Sequence, residues 1–330
     1  MSGRDPVSMK TNGYSQWSSF WQQGFITTFG RSKPDNYSGV IRAFWKEKFL
    51  ELPTGSRILD VATGNGAVAT FAASVSTEKD REFSIAATDA AEINPNVKID
   101  DVTKSLREQV IFHSNEPCES QPFDDDSFDF ISSQFGFEYG DIDTTMPEMR
   151  RILVPGGRFV AISHHIDSRL VKAAKAELEV YRHALDELNI FGTVRKYFGA
   201  LGEVGSSRKE LSKALERAAP LSLKVNDCMN TFREEHPDDE CAGEIVAAVG
   251  YLARGAAQTA KAERLGAVDA AQVNYRMAQA RLKDMVDAAL NPQDIDTLTE
   301  RAKSAGFTSM TCLRLFVEDG SLAGWQIHMQ

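Results

Sequence analysis

Short apolar runs alternate with helix-patterned segments over the first half of the chain. The runs lie at 57–61, 83–88, 109–113, 128–133 and 159–163. Each is rich in branched or aromatic side chains and is bounded by Gly, Pro or polar residues, which is typical of buried strands. Segments with helical spacing separate them, as at 37–52, 67–74 and 146–153. Strands that alternate with helices predict an α/β fold with a doubly wound, mostly parallel sheet.

The pattern changes after residue 166. Helical spacing then dominates in four segments, 170–188, 208–219, 244–264 and 269–290, with breaks near 202–207 and 236–239. A helix at 295–306 and two strand-like runs, 309–317 and 322–329, end the chain. The runs flank Glu318-Asp319-Gly320-Ser321, which predicts a C-terminal antiparallel hairpin. The expected sheet therefore has seven strands, and residues 167–292 form a large helical insertion.

The candidate chemistry is concentrated in one turn. Asp60 lies within the first apolar run, and Ala62, Gly64 and Gly66 follow the run before the next helix. A glycine-bearing turn between a strand and a helix lets the backbone approach a ligand at the carboxyl end of the strand. The dinucleotide pattern G-x-G-x-x-G has a different spacing. Asp60-x-Ala62-x-Gly64-x-Gly66 instead resembles the first motif of class I S-adenosylmethionine (SAM)-dependent methyltransferases, with Ala62 at the first glycine.

This resemblance covers about 40–165 and 293–330, and it implies a SAM-binding core at 37–166 and 293–330. It assigns the methionine side of the cofactor to the turn and the ribose hydroxyls to the acid after the second strand. The adenine falls to the loop before Phe123, where the family's acidic position is Pro117. The implied cofactor-binding residues of these three regions are Asp60, Ala62, Gly64, Asn65, Gly66, Asp89, Ala90, Asn115, Glu116, Cys118 and Glu119.

An aromatic segment precedes the core within residues 1–36. Trp17 and Trp21 share a helical face, and Phe29 lies farther along. One interpretation is a helix that packs on the core. The other is a lid whose aromatic rings hold the sulfonium by cation–π attraction, as N-terminal segments of the resembled family do.

The carboxyl ends of the fourth and fifth strands supply candidates for the reaction. Gln134, Phe135 and Tyr139 follow the fourth strand, and His164 follows the fifth. We expect Gln134 and Phe135 to contact the cofactor, and Gln134, Tyr139 and His164 to act in catalysis. Imidazole is a common general base because it titrates near neutrality. His164 and His165 have no third ligand nearby in the sequence, so no metal site is expected.

Composition limits the partners. The net charge of −10 argues against nucleic acid, since phosphate binding relies on clustered Lys and Arg. No apolar run approaches the roughly 20 residues that span a bilayer. The start of the sequence lacks a signal-peptide pattern, and the four cysteines form no C-x-x-C pair. We therefore expect a cytoplasmic protein without membrane segments.

Together these patterns predict a methyltransferase that uses SAM and acts on a small molecule by in-line transfer. Two alternatives remain at this point. The chain could transfer another carbon of SAM and release methylthioadenosine, or it could bind SAM or a partner without turnover. The helical insertion is expected to be a cap or a homodimer surface.

Overall fold

The computed structural model describes residues 14–28, 35–96, 100–204 and 207–330. The chain divides into two compact units. The first runs up to Lys172 and resumes from Asp284 to Gln330, and the second is Ala173–Lys283. The sequence analysis places the boundaries of the helical insertion at 167 and 292.

The first unit is built on a seven-stranded sheet with the order β3-β2-β1-β4-β5-β7-β6. The first five strands are parallel, and β7 is antiparallel to both of its neighbours. The predicted fold class, including the C-terminal antiparallel hairpin, is confirmed. The strands are β1 (Arg57–Val61), β2 (Ser84–Asp89), β3 (Val110–Ser114), β4 (Phe128–Gln134), β5 (Leu153–Ser163), β6 (Met310–Phe316) and β7 (Leu322–Met329).

Helices cover both faces of this sheet, because successive side chains of a strand point to opposite sides. Ile58 and Phe130 pack with α2 and α3 on one face, and Leu59 and Ile131 pack with α5 and α11 on the other. The helices of this unit are α1 (Ser15–Trp21), α2 (Gly39–Leu50), α3 (Ala67–Glu78), α4 (Asp101–Arg107), α5 (Ile142–Ile152) and α11 (Pro292–Ala305).

The second unit is helical and has its own apolar core. Phe191, Phe198, Phe232 and Ile245 are buried in this core. Its helices are α6 (Arg169–Arg182), which begins in the first unit, α7 (Ile190–Leu201), α8 (Arg208–Glu235), α9 (Glu240–Ala253) and α10 (Lys261–Ala288), which ends in the first unit. A π-helical turn, His183–Glu187, follows α6. No helix in the described ranges is long and apolar enough to cross a membrane.

The structure corrects the predicted ends of several helices. The sequence analysis ended a helix at residue 219, but α8 continues through Pro220 to Glu235. Pro220 is exposed, whereas Met229 and Phe232 are buried in the core of the unit. Packing of the second half therefore outweighs the hydrogen bond that the proline removes.

Another predicted helix, at 244–264, is in fact two. Helix α9 ends at Ala253, and Gly255 adopts a φ of 74° just beyond it. Only glycine occupies that left-handed conformation without strain, so the chain turns there before α10 begins at Lys261. Helix α5 begins four residues before the predicted start, because the Asp141 side chain accepts a hydrogen bond from the Asp143 amide and caps it. Helices α4 and α7 were not predicted.

Candidate cofactor and acceptor site

The turn after β1 is held by the buried carboxylate of Asp60. Its two oxygens accept hydrogen bonds from the hydroxyls of Thr63 (2.5 Å) and Ser132 (2.7 Å). Burial raises the pKa of Asp60 to about 6, although these bonds favour the ionised form. Asp60 thus ties the turn to the adjacent strand β4 and fixes the shape of the loop.

A second buried carboxylate braces the turn from β2. Asp89 accepts hydrogen bonds from the amides of Gly64 (2.7 Å) and Ala91 (2.8 Å). Gly64 has a φ of 54°, and a Cβ built there would lie 2.5 Å from the Trp21 ring. Desolvation raises the pKa of Asp89 to about 6. Glycine is required at position 64 for both its conformation and this close approach.

Ala62 replaces the first glycine of the motif and keeps the glycine conformation, with a φ of 52°. The residue opposite explains how the extra methyl group fits. A Cβ on Gly136 would lie 2.3 Å from the Ala62 Cβ. The side chain that Ala62 adds therefore occupies space that Gly136 leaves open.

These elements surround a cavity at the carboxyl ends of the parallel strands, the edge at which doubly wound sheets bind their ligands. Twelve of the predicted site residues line it: Trp17, Trp21, Asp60, Ala62, Gly64, Asp89, Ala90, Cys118, Glu119, Gln134, Phe135 and Tyr139. All of them belong to the first unit.

Other predicted site residues do not line the cavity. Asn65, Gly66, Asn115, Glu116 and His164 lie outside its wall. Phe29 lies outside the described residues. Gly66 begins α3 with a φ of 85°, and a Cβ there would meet the Phe112 ring at 2.7 Å.

The side chain of Asn65 serves the aromatic segment instead. Its amide nitrogen donates to the carbonyls of Trp21 (2.9 Å) and Phe25 (2.8 Å), and its oxygen accepts from the Asn94 amide (2.8 Å). Asn65 is buried, and these bonds engage both ends of its amide group. The segment is thereby fastened to the glycine turn.

The aromatic segment forms one wall of the cavity. The Trp17 indole donates to the Asp284 carboxylate (2.9 Å), and its ring lies edge-on to Tyr139 with centroids 5.7 Å apart. Phe20 and Trp21 are buried with Ala91 and Ile93. The segment therefore packs on the core and also lines the cavity, and its role as a lid that holds a sulfonium stays a prediction.

His164 lies behind Tyr139. Its Nε2 is 3.1 Å from the Tyr139 hydroxyl, and its ring stacks on Phe135 with centroids 4.4 Å apart. Burial lowers the pKa of His164 to about 3, and burial raises that of Tyr139 well above its usual value. Glu138 accepts hydrogen bonds from the His164 and Gly136 amides (2.8 and 2.9 Å) and holds the two strand ends together.

Sequence analysis did not assign several residues that line the cavity. The polar ones are Tyr14, Thr28, Tyr37 and Thr63. Tyr14 belongs to the aromatic run, and that pattern could have identified it as a candidate site residue. Tyr37 stands just before α2, and nothing in its local pattern separates it from a core residue.

Comparison with known proteins gives a consistent result. The model of the ubiE/COQ5 methyltransferase family matches residues 37–185. A UbiE ubiquinone/menaquinone biosynthesis C-methyltransferase of Rickettsia felis is 24% identical over 56% of this chain and 85% of that protein. A UbiE protein of Geobacter sulfurreducens is 33% identical over 46% of this chain and 57% of its own length.

This chain is a class I SAM-dependent methyltransferase. SAM is its cofactor, and the matched region contains the glycine turn, Asp89 and the ends of β4 and β5. The methyltransferase spans little more than half the length of the Geobacter relative. Among solved structures, a putative SAM-dependent methyltransferase from Methanococcus maripaludis aligns over 100% of this chain and 96% of its own, with a TM-score of 0.40 and 13% identity.

Proposed function

We propose that this methyltransferase transfers the SAM methyl group to a small-molecule acceptor bound in the same cavity. The observation that supports this most directly is the aromatic wall of the cavity, which is formed by Tyr14, Trp17, Trp21, Phe135 and Tyr139. A nucleic acid or a large protein surface needs an open face, whereas these rings suit a compact planar molecule.

The residues that line the cavity fit the cofactor. Asp89 lines the cavity at the end of β2 and offers a carboxylate to the ribose hydroxyls. When bound, SAM supplies an activated methyl group on a sulfonium. The chain's contribution is to orient the two reactants in line and to exclude water, which can account for much of the rate enhancement in such transfers.

His164 is poorly placed to act as a general base on the acceptor. It does not line the cavity, burial lowers its pKa to about 3, and it contacts the lining residues Tyr139 and Phe135. We therefore propose that Tyr139 contacts the acceptor, and that His164 positions the Tyr139 hydroxyl. Gln134, the third predicted catalytic residue, stays a prediction for that role.

We propose a neutral, oxygen-bearing aromatic compound as the acceptor. Lys, Arg and His are absent from the cavity lining as far as residues 14–28, 35–96 and 100–204 show. An anionic acceptor would therefore find no cation there. C-methylation of a quinone precursor, the reaction in the names of the relatives, is the first candidate to test.

The test is to incubate the enzyme with SAM and a panel of phenols and quinols and to identify both products by mass spectrometry. We expect S-adenosylhomocysteine and a methylated phenol or quinol. Tyr139→Phe should lower turnover about tenfold or more through loss of the hydroxyl contact. Methylthioadenosine as the product would mean that another carbon of SAM is used, and SAM binding without product would favour a binding protein.

We propose a cytoplasmic location as well, which is supported by the four unpaired cysteines. The role of the helical insertion stays the prediction made from the sequence, a cap or a homodimer surface.

A further inference from the structure

Helix α10 brings a carboxylate to the aromatic wall of the cavity. Asp284 lies about one turn before the end of this helix at Ala288. Its Oδ2 atom accepts hydrogen bonds from the Trp17 indole nitrogen (2.9 Å) and from the Gln16 amide nitrogen (2.8 Å). All of these residues belong to the first unit. Two neutral donors from consecutive residues of α1 therefore meet at a single carboxylate oxygen.

The bond to Asp284 gives the Trp17 ring a defined direction. An indole nitrogen can only donate, and two side-chain torsions orient the ring, so the acceptor selects which edge of the indole faces α10. Trp17 is partly exposed, whereas Trp21 in the same helix is buried. Packing thus encloses Trp17 on fewer sides, and the hydrogen bond supplies a directional contact that packing does not.

The orientation of Trp17 bears on two other rings of the cavity wall. Its ring lies edge-on to Tyr139, with centroids 5.7 Å apart and planes at 88°, and it stacks on Trp21 with centroids 6.4 Å apart. The Tyr139 hydroxyl, which we expect to contact the acceptor, is 3.1 Å from His164 Nε2. A series of contacts therefore leads from Asp284 through Trp17 to Tyr139.

The charge of Asp284 acts on the same hydroxyl. Burial raises the pKa of Tyr139 well above its usual value, and the carboxylates of Glu138 and Asp284 raise it further. The Tyr139 hydroxyl therefore stays protonated at neutral pH, and it can donate a hydrogen bond to an oxygen of the acceptor.

Both ends of the contact lie outside the region that the family model matches. That region is 37–185, so Trp17 precedes it and Asp284 follows it. The family match therefore assigns no role to either residue, and the role has to be argued from the contacts themselves.

We propose that Asp284 is a positioning residue for methyl transfer, which acts through Trp17 to hold the Tyr139 hydroxyl against the acceptor. This inference rests on the proposed function, since it takes Tyr139 to contact the acceptor. A displaced contact slows the reaction even when both reactants still bind, so we expect the effect in kcat.

Kinetics of two variants at this position test the role of the oxygen. Asp284→Leu has a similar size and no acceptor, whereas Asp284→Asn keeps an oxygen for both donors and removes the charge. We expect Asp284→Leu to lower kcat about tenfold and Asp284→Asn to restore most of that loss. Asp269→Leu makes the same change elsewhere on α10, at a half-exposed position, and should leave kcat unchanged.

A double-mutant cycle shows whether the effect passes through Tyr139. In the Tyr139→Phe background, Asp284→Leu should lower kcat less than about twofold, because the hydroxyl that it positions is already gone. A similar loss in both backgrounds, or no loss in either, would overturn the proposal. A loss in Asp284→Asn as large as that in Asp284→Leu would overturn it as well.

Fluorine NMR tests the geometry without turnover. In protein labelled with 3-fluorotyrosine, the Tyr139 signal is the one that Tyr139→Phe removes. We expect this signal to move in Asp284→Leu and to keep its place in Asp269→Leu, since the Trp17 ring lies edge-on to Tyr139. An unmoved signal in Asp284→Leu would overturn the proposal. If the signal moves but the wild type methylates no phenol or quinol, the proposed function fails, whereas the contact from Asp284 to Tyr139 stands.

Discussion

Asp89 combines two tasks at the residue scale. Its oxygens accept hydrogen bonds from the Gly64 and Ala91 amides, and its carboxylate still lines the cavity. Burial opposes the charge and raises the pKa to about 6. A group with a raised pKa takes up a proton as the pH falls through that value, so its charge is available to a ligand only above it.

We therefore predict that cofactor affinity depends on pH. Protonated Asp89 loses an acceptor, so affinity for S-adenosylhomocysteine should fall by up to about tenfold per pH unit below about 6. Calorimetry between pH 5 and pH 8 measures this. Asp89→Asn should bind more weakly with a flatter profile. A profile that keeps its full slope in that variant would assign the titration to Asp60 instead.

Single residues differ in how far the sequence predicted them. Asp60, Gly64 and Asp89 follow strands in a short, recognisable spacing, and all three line the cavity. Asn65 lies in the same motif, yet its side chain binds carbonyls more than 39 residues away, which local spacing does not encode. Tyr37 and Gln134 likewise depend on which side chains the fold brings beside them.

At the scale of elements, Asn65 ties the aromatic segment to the glycine turn. We predict that Asn65→Asp loosens it, because the variant keeps the acceptor for Asn94 and loses both donated bonds. The expected cost is about 2 kcal/mol. Limited proteolysis with chymotrypsin, without cofactor, should cut faster at Trp17, Phe20 or Phe25.

Asn115→Asp is the matched control for this prediction. It makes the same chemical change at the same edge of the sheet, at an exposed position. Its cleavage pattern should match that of the wild type. Equal protection of the segment in Asn65→Asp would show that its ring packing and its bond to Asp284 are enough to hold it.

Helix α7 ends on a buried arginine. Arg264 donates to the carbonyls of Phe198 (3.1 Å), Thr259 (2.7 Å) and Gly202, and so satisfies groups at the end of the helix. We predict that Arg264→Lys destabilises the second unit by about 3 kcal/mol, since a lysine cannot reach several carbonyls at once. Urea denaturation followed by circular dichroism measures this.

Arg195→Lys is a suitable comparison for Arg264→Lys. Its partner is Asp269, and the pair is about half exposed. Exposed pairs contribute less than about 1 kcal/mol, so its unfolding midpoint should barely move. If Arg264→Lys loses as little stability as Arg195→Lys, the positive charge that lysine keeps would be enough to explain the contribution of Arg264.

Strands were predicted more closely than helices. Each strand was found within a few residues of its bounds except at the start of β5, because glycines and polar residues punctuate the apolar runs. In the helical unit, the composition of every segment is compatible with a helix, so packing decides where each helix ends. Pro220 inside α8 shows that a local breaker is not a reliable stop signal there.

For the whole molecule, we predict a homodimer formed through the helical unit. Leu223 on α8 and Val273 on α10 are 63% and 51% exposed. Light scattering after gel filtration should give twice the chain mass for the wild type. Leu223→Lys and Val273→Lys should give the monomer, whereas Leu313→Lys on the edge strand β6 should not. A wild-type monomer would leave the cap as the role of this unit.

The position of Trp21 over Gly64 bears on how long the spent cofactor stays bound rather than on its affinity. A Cβ at Gly64 would touch the Trp21 ring, so the ring already lies against the turn. The aromatic segment forms one wall of the cavity and is tied to the turn by Asn65, so we expect the departure of the spent cofactor to depend on its opening. The residence time of the spent cofactor is then set by how often this segment opens. An excess of substrate does not shorten that time. Turnover in this enzyme should be limited by product departure, with a burst in the first cycle.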